Sequence, residues 1–448
     1  MGRVLNSAVA TSEAVIPFSY TIEWIMLENH AGRSIDISPI VTDFKITESI
    51  YRQYLSLSMN VKDSVNLLEQ FQMTGQEKLT IALSRTDFGS NTKKRIEKTF
   101  YVTEYPVYGK MSNKLQVFSV KAISEHAFLS RFKRINRAVD GNVMDIIATI
   151  LKEDLKIDAK NIKLSSQSSR NISCIIPNMT PLDAIGWLLR RTFDGHGAPF
   201  YCFEQLDGII YIYSQTDLVG KDNKPIRDYI DGKFWSAEQQ TTKDYDQRLS
   251  RIISIASDLR LSKFLSGARG AFGSTTKIVN LAEKTYDEEV FDYTKEFDSM
   301  SVVDTSGKTV ISDKFVIGTE AKSLNKYASA RINTVGINSL MQDSYNSSVL
   351  HGALAKAQSY VENFDTFVHD LSVAGDLDMH AGDAINLKLV KPIDPNVTVK
   401  NDKTNGDAVF DSFMSGKHII TTIAHNFDES YSCELRVKRD SLNQDFVS

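Results

Sequence analysis

The chain has 448 residues, 42% of them apolar and 24% charged. That average globular composition excludes wholesale disorder, and at roughly 150 residues per domain the length excludes a single small module. Lys plus Arg is 52 against 56 for Asp plus Glu, a net charge of −4, so no overall electrostatic pull toward nucleic acid or anionic membrane is expected.

The N-terminus, MGRVLNSAVATSEAVIPF, lacks the apolar core and cleavage site of a signal peptide, and Asn6 stands where a myristoylation signal wants Ser or Thr. Residues 1–14 read as a disordered lead-in. No run approaches the ~18 apolar residues that cross a bilayer, so no membrane insertion is expected. The three cysteines, Cys174, Cys202 and Cys433, lie far apart and cannot all pair internally, which fits synthesis in a reducing cytoplasm. The Asn-x-Ser/Thr triplets at Asn171, Asn178, Asn346 and Asn396 read as chance matches without a secretion signal.

From Phe18 to Met26 every second residue is apolar, the mark of a strand buried on one face. YLSLSMNV, KLTIALS, KTFYVTEYPVYG and KLQVFSVKAI repeat the pattern, so residues 15–123 read as a first β-barrel; a sheet of this length leaves exposed edges unless it closes. Around residue 124 the period changes. NVMDIIATILKEDL puts Val143, Ile146, Ile147, Ile150 and Leu151 on one helical face, with Asp140 or Asn142 as cap. TPLDAIGWLLRRTF begins a second helix with Thr180 as N-cap and Pro181 at its first position, and APFYCFEQLDGIIYIYS reads as a hairpin turning at Leu206, Asp207 and Gly208. Residues 124–215 thus form a helix and hairpin α+β domain.

Residues 216–340 read as short strands separated by long loops, and RLSRIISIASDLRL fits strand or helix. NSSVLHGALAKAQSYVENF reads as a helix, and three alternating segments follow it: FVHDLSVAGDLDMHAGDAINLKLV, SGKHIITTIAHNF and YSCELRVKRDS. We divide this half into a second β-barrel, residues 216–260 and 365–442, an insertion with loops and a helix at 261–364, and a tail at 443–448. The expected fold class is mainly β with an α+β insertion: two related antiparallel β-barrel domains, a helix and hairpin middle domain, and a less regular insertion.

Signals for chemistry are weak. GARGAFGST spaces its glycines by three but lacks the Lys of a P-loop and opens no helix, so a turn pressed against a neighbour is expected. His369 and His380 bracket a hairpin with Asp370, Asp376, Asp378 and Asp383, where solvated turn carboxylates are the default over a metal site. His418 and His425 are separated by an odd number in one strand, which points them to opposite faces. Cys174 and Cys202 have apolar neighbours and read as inert packing, while Glu288, Glu289, Glu97 and Glu104 read as solvated. The basic run RFKRINR, Arg131–Arg137, reads as a subunit contact or solvated linker rather than a DNA site. No catalytic, cofactor-binding or metal-binding residue is assigned.

The order of these pieces resembles the baseplate hub proteins of contractile phage tails, typified by the hub of bacteriophage T4, with wider kinship to the late control D and spike N-terminal proteins. DSVNLLEQFQMTGQEKLTIALS looks like the family's first-barrel signature. KAISEHAFLSRFKRINRAVDGNVMDIIATILKED is similar to the strand, linker and helix that leave that barrel. IIPNMTPLDAIGWLLRRTFDGHGAPFYCFEQLDGIIYIY matches the following helix and hairpin, and the three segments after residue 365 look like the closing strands of the second barrel. Residues 216–340 and IDPNVTVKNDKTNGDAVFDS do not follow the pattern.

The resemblance implies a homotrimer whose six similar barrels form a ring, a symmetry adaptor joining a sixfold tail tube to a threefold central spike. It also implies a non-enzymatic virion protein without cofactors, placed in the tail baseplate and assembled in the host bacterial cytoplasm. Its partners would be tail tube or tube-initiator protein, surrounding baseplate wedge proteins and a spike; since little sequence follows the last strand, the spike is expected to be a separate chain. DNA would pass through without specific binding. Two alternatives stand beside it: the hub of a phage-derived contractile injection system, and a cell-wall polysaccharide hydrolase using a carboxylate pair.

Overall fold

A computed structural model describes residues 3–4, 20–86, 93–167, 169–231, 249–259, 263–280, 284–303, 316–317, 322–323, 329–335, 347–391, 410–411 and 413–441. The period-two pattern becomes sheet. In Ser56–Asp63, Leu57, Met59 and Val61 are buried while Ser58, Asn60 and Lys62 face solvent. The first unit contains β1 (Arg3–Val4), β2 (Thr21–Glu28), β3 (Ser34–Asp36), β4 (Val41–Ser49), β5 (Ser56–Asp63), β6 (Lys78–Thr86), β7 (Lys93–Glu104), β8 (Tyr108–Ser112) and β9 (Leu115–Ser124). Arg3 and Val4 pair with Ile22 and Thr21, so part of the expected disordered lead-in is sheet. The rest of that lead-in, and the tail at 443–448, lie outside the described residues.

The middle unit carries β10 (Ile135–Asn142), β11 (Ile162–Leu164), β12 (Asn171–Met179), β13 (Phe200–Glu204) and β14 (Ile210–Ser214). Its helices start where their caps predict: the Asn142 side chain accepts from Met144 N, and Thr180 from Asp183 N just before Pro181. Together they bury a separate core that includes Ile147, Leu151, Ile176, Ile185, Leu188 and Ile212.

The chain then returns to sheet with β15 (Pro225–Asp231) and β16 (Arg251–Leu259). An insertion follows, with β17 (Gly273–Asn280), β18 (Thr285–Asp292), β19 (Val316–Ile317), β20 (Lys322–Ser323), β21 (Ser329–Val335) and the helix Ser347–Phe364. Last come β22 (Phe367–Ala374), β23 (Ala384–Lys388), β24 (Gly416–Phe427) and β25 (Tyr431–Arg439). Within RLSRIISIASDLRL, Arg251–Leu259 is therefore strand, because Ile252 and its successors find β22 as partner, a long-range choice that local pattern does not make. Residues 216–340 also hold longer strands than expected, with β17 and β18 forming an eight-residue ladder.

Strand order reveals a duplication. The second unit closes on itself as β15–β16–β22–β25–β24–β23, with β23 returning to β15. The first unit runs β2–β6–β7–β9–β5–β4; among the described residues no strand pairing joins β4 back to β2, and Ile37 N, on the stretch between β3 and β4, donates to Ile25 O of β2 at 2.9 Å. With β1, β3 and β8 set aside as additions to the first unit, and the six remaining strands of each unit numbered by rank along the chain, both units have the same neighbour order: first, second, third, sixth, fifth, fourth. They differ in one strand. β15 runs parallel to both its neighbours whereas β2 runs antiparallel to β6, so the second barrel is not wholly antiparallel as expected. The fold is thus mainly β, with two related barrels, a helix and hairpin middle domain and an insertion.

Candidate functional site

The two barrels meet edge to edge. β4 and β24 pair antiparallel from Ser49 opposite Thr422 to Phe44 opposite Phe427, merging both units into one 15-stranded sheet. Rings lock this seam: Phe44 stacks on Phe427 at 4.6 Å, and Phe427 on Tyr431 at 4.6 Å. A single apolar core runs beneath both barrels and takes in Phe203, Leu206, Leu218 and Val219.

Glu48 sits at the centre of the seam with no solvent exposure. Its carboxylate accepts from Leu206 N at 2.8 Å and Ala381 N at 2.9 Å, meets His380 Nδ1 at 3.1 Å and lies 3.5 Å from His425 Nε2. One side chain therefore ties β4, the tip of the middle-domain hairpin, the turn before β23 and β24. Burial opposes its charge, but His380 and His425 override it and hold the carboxyl down at about 2. Glu204 plays a similar part on the other side of the hairpin. Only 3% exposed, it accepts from Leu55 N at 3.0 Å, Lys98 Nζ at 2.6 Å and the Ser124 hydroxyl. A third tie joins Asp376 to Arg85 at 3.3 Å and to Arg227 at 3.1 Å.

These ties correct several expectations. Asp376 is 5% exposed and paired with two arginines, not a solvated turn carboxylate. His418 and His425 do not point to opposite faces: a bulge between Ile420 and Thr422 resets the alternation, and both are fully buried. His418 packs on His369 at 5.1 Å, while His425 Nδ1 meets the Tyr431 hydroxyl at 2.8 Å. Among the described residues no group of His, Cys, Asp and Glu is arranged to hold a metal ion, and no helix is long and apolar enough to cross a membrane.

The remaining candidates resolve into packing. GARGAFGST ends a helix, turns and enters β17, with Ala271 and Phe272 buried and the Ser359 hydroxyl donating to Ala271 O at 2.6 Å. In RFKRINR, Arg137 pairs with Asp154 at 2.8 Å and Lys133 donates to Asp154 O, so part of the run is spent inside the middle domain. All three cysteines are buried and free, and burial pushes Cys202 up to about 12. Glu288 stays exposed, whereas Glu289 lies against Gly352 of the insertion helix. Glu97 and Glu104 form surface pairs with Arg95 and Lys121.

Sequence reasoning passed over Glu48, although a signal was there: Phe44 and Ile46 set the inward parity of β4, and Glu48 is the next residue on it. The outward face of the joined sheet is polar and paired. Lys45 meets Glu434 at 2.6 Å, and Arg436 grips both oxygens of Asp370 at 2.8 and 2.9 Å.

No family of known proteins matches the sequence, and no curated protein does so. Solved structures do match the fold. A tail protein from Neisseria meningitidis MC58 superimposes with a TM-score of 0.52 at 11% identity, over 95% of this chain and 99% of that one. The 43 kDa tail protein of prophage MuSo2 from Shewanella oneidensis gives 0.51 at 12% identity, over 93% and 98%. At nearly full length on both sides, the chain has the fold of phage tail proteins.

Proposed function

We propose that the chain is a structural hub of a contractile phage tail baseplate. In this reading three copies form a ring of six similar barrels, which adapts a sixfold tail tube to a threefold central spike. One observation carries it: two barrels that share one neighbour order of six strands stand side by side in one chain, joined through β4 and β24. A duplicated unit with a head-to-tail seam is what a trimer needs to present six near-equivalent surfaces. The tail-protein fold supports the setting, in a virion or in a phage-derived injection machine built on the same parts.

The role is mechanical rather than catalytic. Tube protein stacks on one side of the ring, the spike seats on the other, wedge proteins surround it, and DNA passes without being gripped. Light scattering of the purified protein and negative-stain images test the reading, with a trimer mass and ring-shaped particles expected. Monomer at micromolar concentration, with no ring on adding tube or spike protein, overturns it. Cleavage of purified cell wall by the chain would overturn the non-enzymatic part alone.

A further inference from the structure

The seam inside the chain specifies a second seam that is open among the described residues. Within the first barrel, β4 uses one side for β5 and the other for β24. Its counterpart of equal rank in the second barrel is β16. That strand uses one side for β22 along Ile252–Leu259, while on the other it meets β15 only at Arg251 and Ile252. The backbone edge from Ile253 to Ser257 has no strand partner among the described residues, and Ile253 is 52% exposed.

The same comparison applies to β24. One of its sides is taken by β25, and the other is divided between β23 at Gly416–Ile419 and β4 at Thr422–Phe427. Its counterpart in the first barrel is β7 continued by β8. These two pair with β9 in succession, at Phe100–Glu104 and Tyr108–Ser112. On the opposite side β6 covers β7 up to Tyr101, and β8 has no strand partner there among the described residues. All five residues of β8 are exposed, Met111 at 68% and Tyr108 at 55%, with Val107 just before them at 59%.

We propose that β8 of one copy pairs antiparallel with β16 of the next copy, repeating between chains the β4–β24 seam found within one chain. Open edges of this kind are aggregation-prone unless something covers them. Here the two strands hold the ranks that already fit each other across the internal seam, which commits the occupant to a second copy of this chain. The contact is heterologous, so it closes into a ring if successive seams repeat one rotation. The proposal rests on the trimeric hub reading and names the strands that would make it.

Cysteine pairing tests it in the full chain, whose own cysteines are all buried. Met111→Cys is combined with Ser254→Cys or with Ala256→Cys, both exposed positions on β16. Under mild oxidation at least one combination is expected to give a covalent trimer on a denaturing gel, with each single variant giving none. A trimer in solution that no combination cross-links overturns the strand assignment and leaves the hub reading standing. A protein that stays monomeric in solution and uncross-linked overturns both.

Discussion

Glu48 and His425 face each other across the seam, Oε1 to Nε2 at 3.5 Å, with neither side chain exposed to solvent. The pair belongs to different barrels and to strands almost four hundred residues apart in the chain. Removing Glu48 leaves His425 buried without its acid, and two backbone amides, Leu206 N and Ala381 N, lose their acceptor. Breaking a buried ion pair by truncating one side costs about 3–5 kcal/mol. Glu48→Ala should therefore lower the urea midpoint by that equivalent and loosen the middle-domain hairpin as well. An unchanged midpoint would remove Glu48 from the centre of the junction.

The same pair sets a pH dependence. Burial works against charge on both residues, yet Glu48 is brought from 4.5 to about 2 by its histidines, and His425 is lifted from 6.5 to about 10 by Cys433 and Glu48. A lowered acid stabilises fully above 4.5 and loses that contribution as pH falls through about 2. A raised histidine stabilises fully below 6.5 and loses its contribution as pH rises through about 10. The melting temperature should decline from neutral pH toward pH 10, and His425→Asn should flatten that decline while lowering the maximum. Equal alkaline slopes in the two proteins would contradict this account.

Much of this architecture was legible. Alternation located β5, β6 and β9, and the Thr180–Pro181 start located its helix because capping is local; in β2 a bulge between Ile22 and Trp24 moves burial to Ile25 and Leu27, away from the Trp24 and Met26 that strict alternation selects. What stayed hidden depends on distance or on one extra residue. Asp376 read as a turn carboxylate because Arg85 lies 291 positions away. The bulge after Ile420 shifts parity by one, which no count of positions in the strand reveals. The seam itself was illegible, since β4 and β24 each show an ordinary half-buried pattern whether they pair within a barrel or between two.

Gly375 offers a probe of the aromatic stack. Its N donates to Tyr431 O at 3.0 Å, and a side chain there would run into the Tyr431 ring, which stacks on Phe427. Overpacking of this kind costs about 1–3 kcal/mol. Gly375→Ala should lower the melting temperature accordingly, because the ring is held between Gly375 and Phe427. Gly267→Ala, where the new carbon meets only the Phe272 ring at an ordinary 3.8 Å, serves as the control and should cause no loss of stability. Equal losses at both positions would show that contact with the Tyr431 ring does not govern the response.

The outward face of the joined sheet carries a prediction about DNA. Its ion pairs, Lys45 with Glu434 and Arg436 with Asp370, are about half exposed and neutralise each other. Such pairs contribute about 0–1 kcal/mol, so reversing their acids should barely disturb folding. If this face lines the bore of the proposed ring, Glu434→Lys with Asp370→Lys places six new cations per trimer where the wild type is balanced, by two substitutions in each of three chains. Phosphate contacts then accumulate along the path, and their strength falls steeply with salt. Wild-type rings should not retard linear duplex DNA in a gel, whereas the doubly reversed rings should do so at low salt and release it at high salt. Intact reversed rings that leave DNA unretarded would place this face away from the channel.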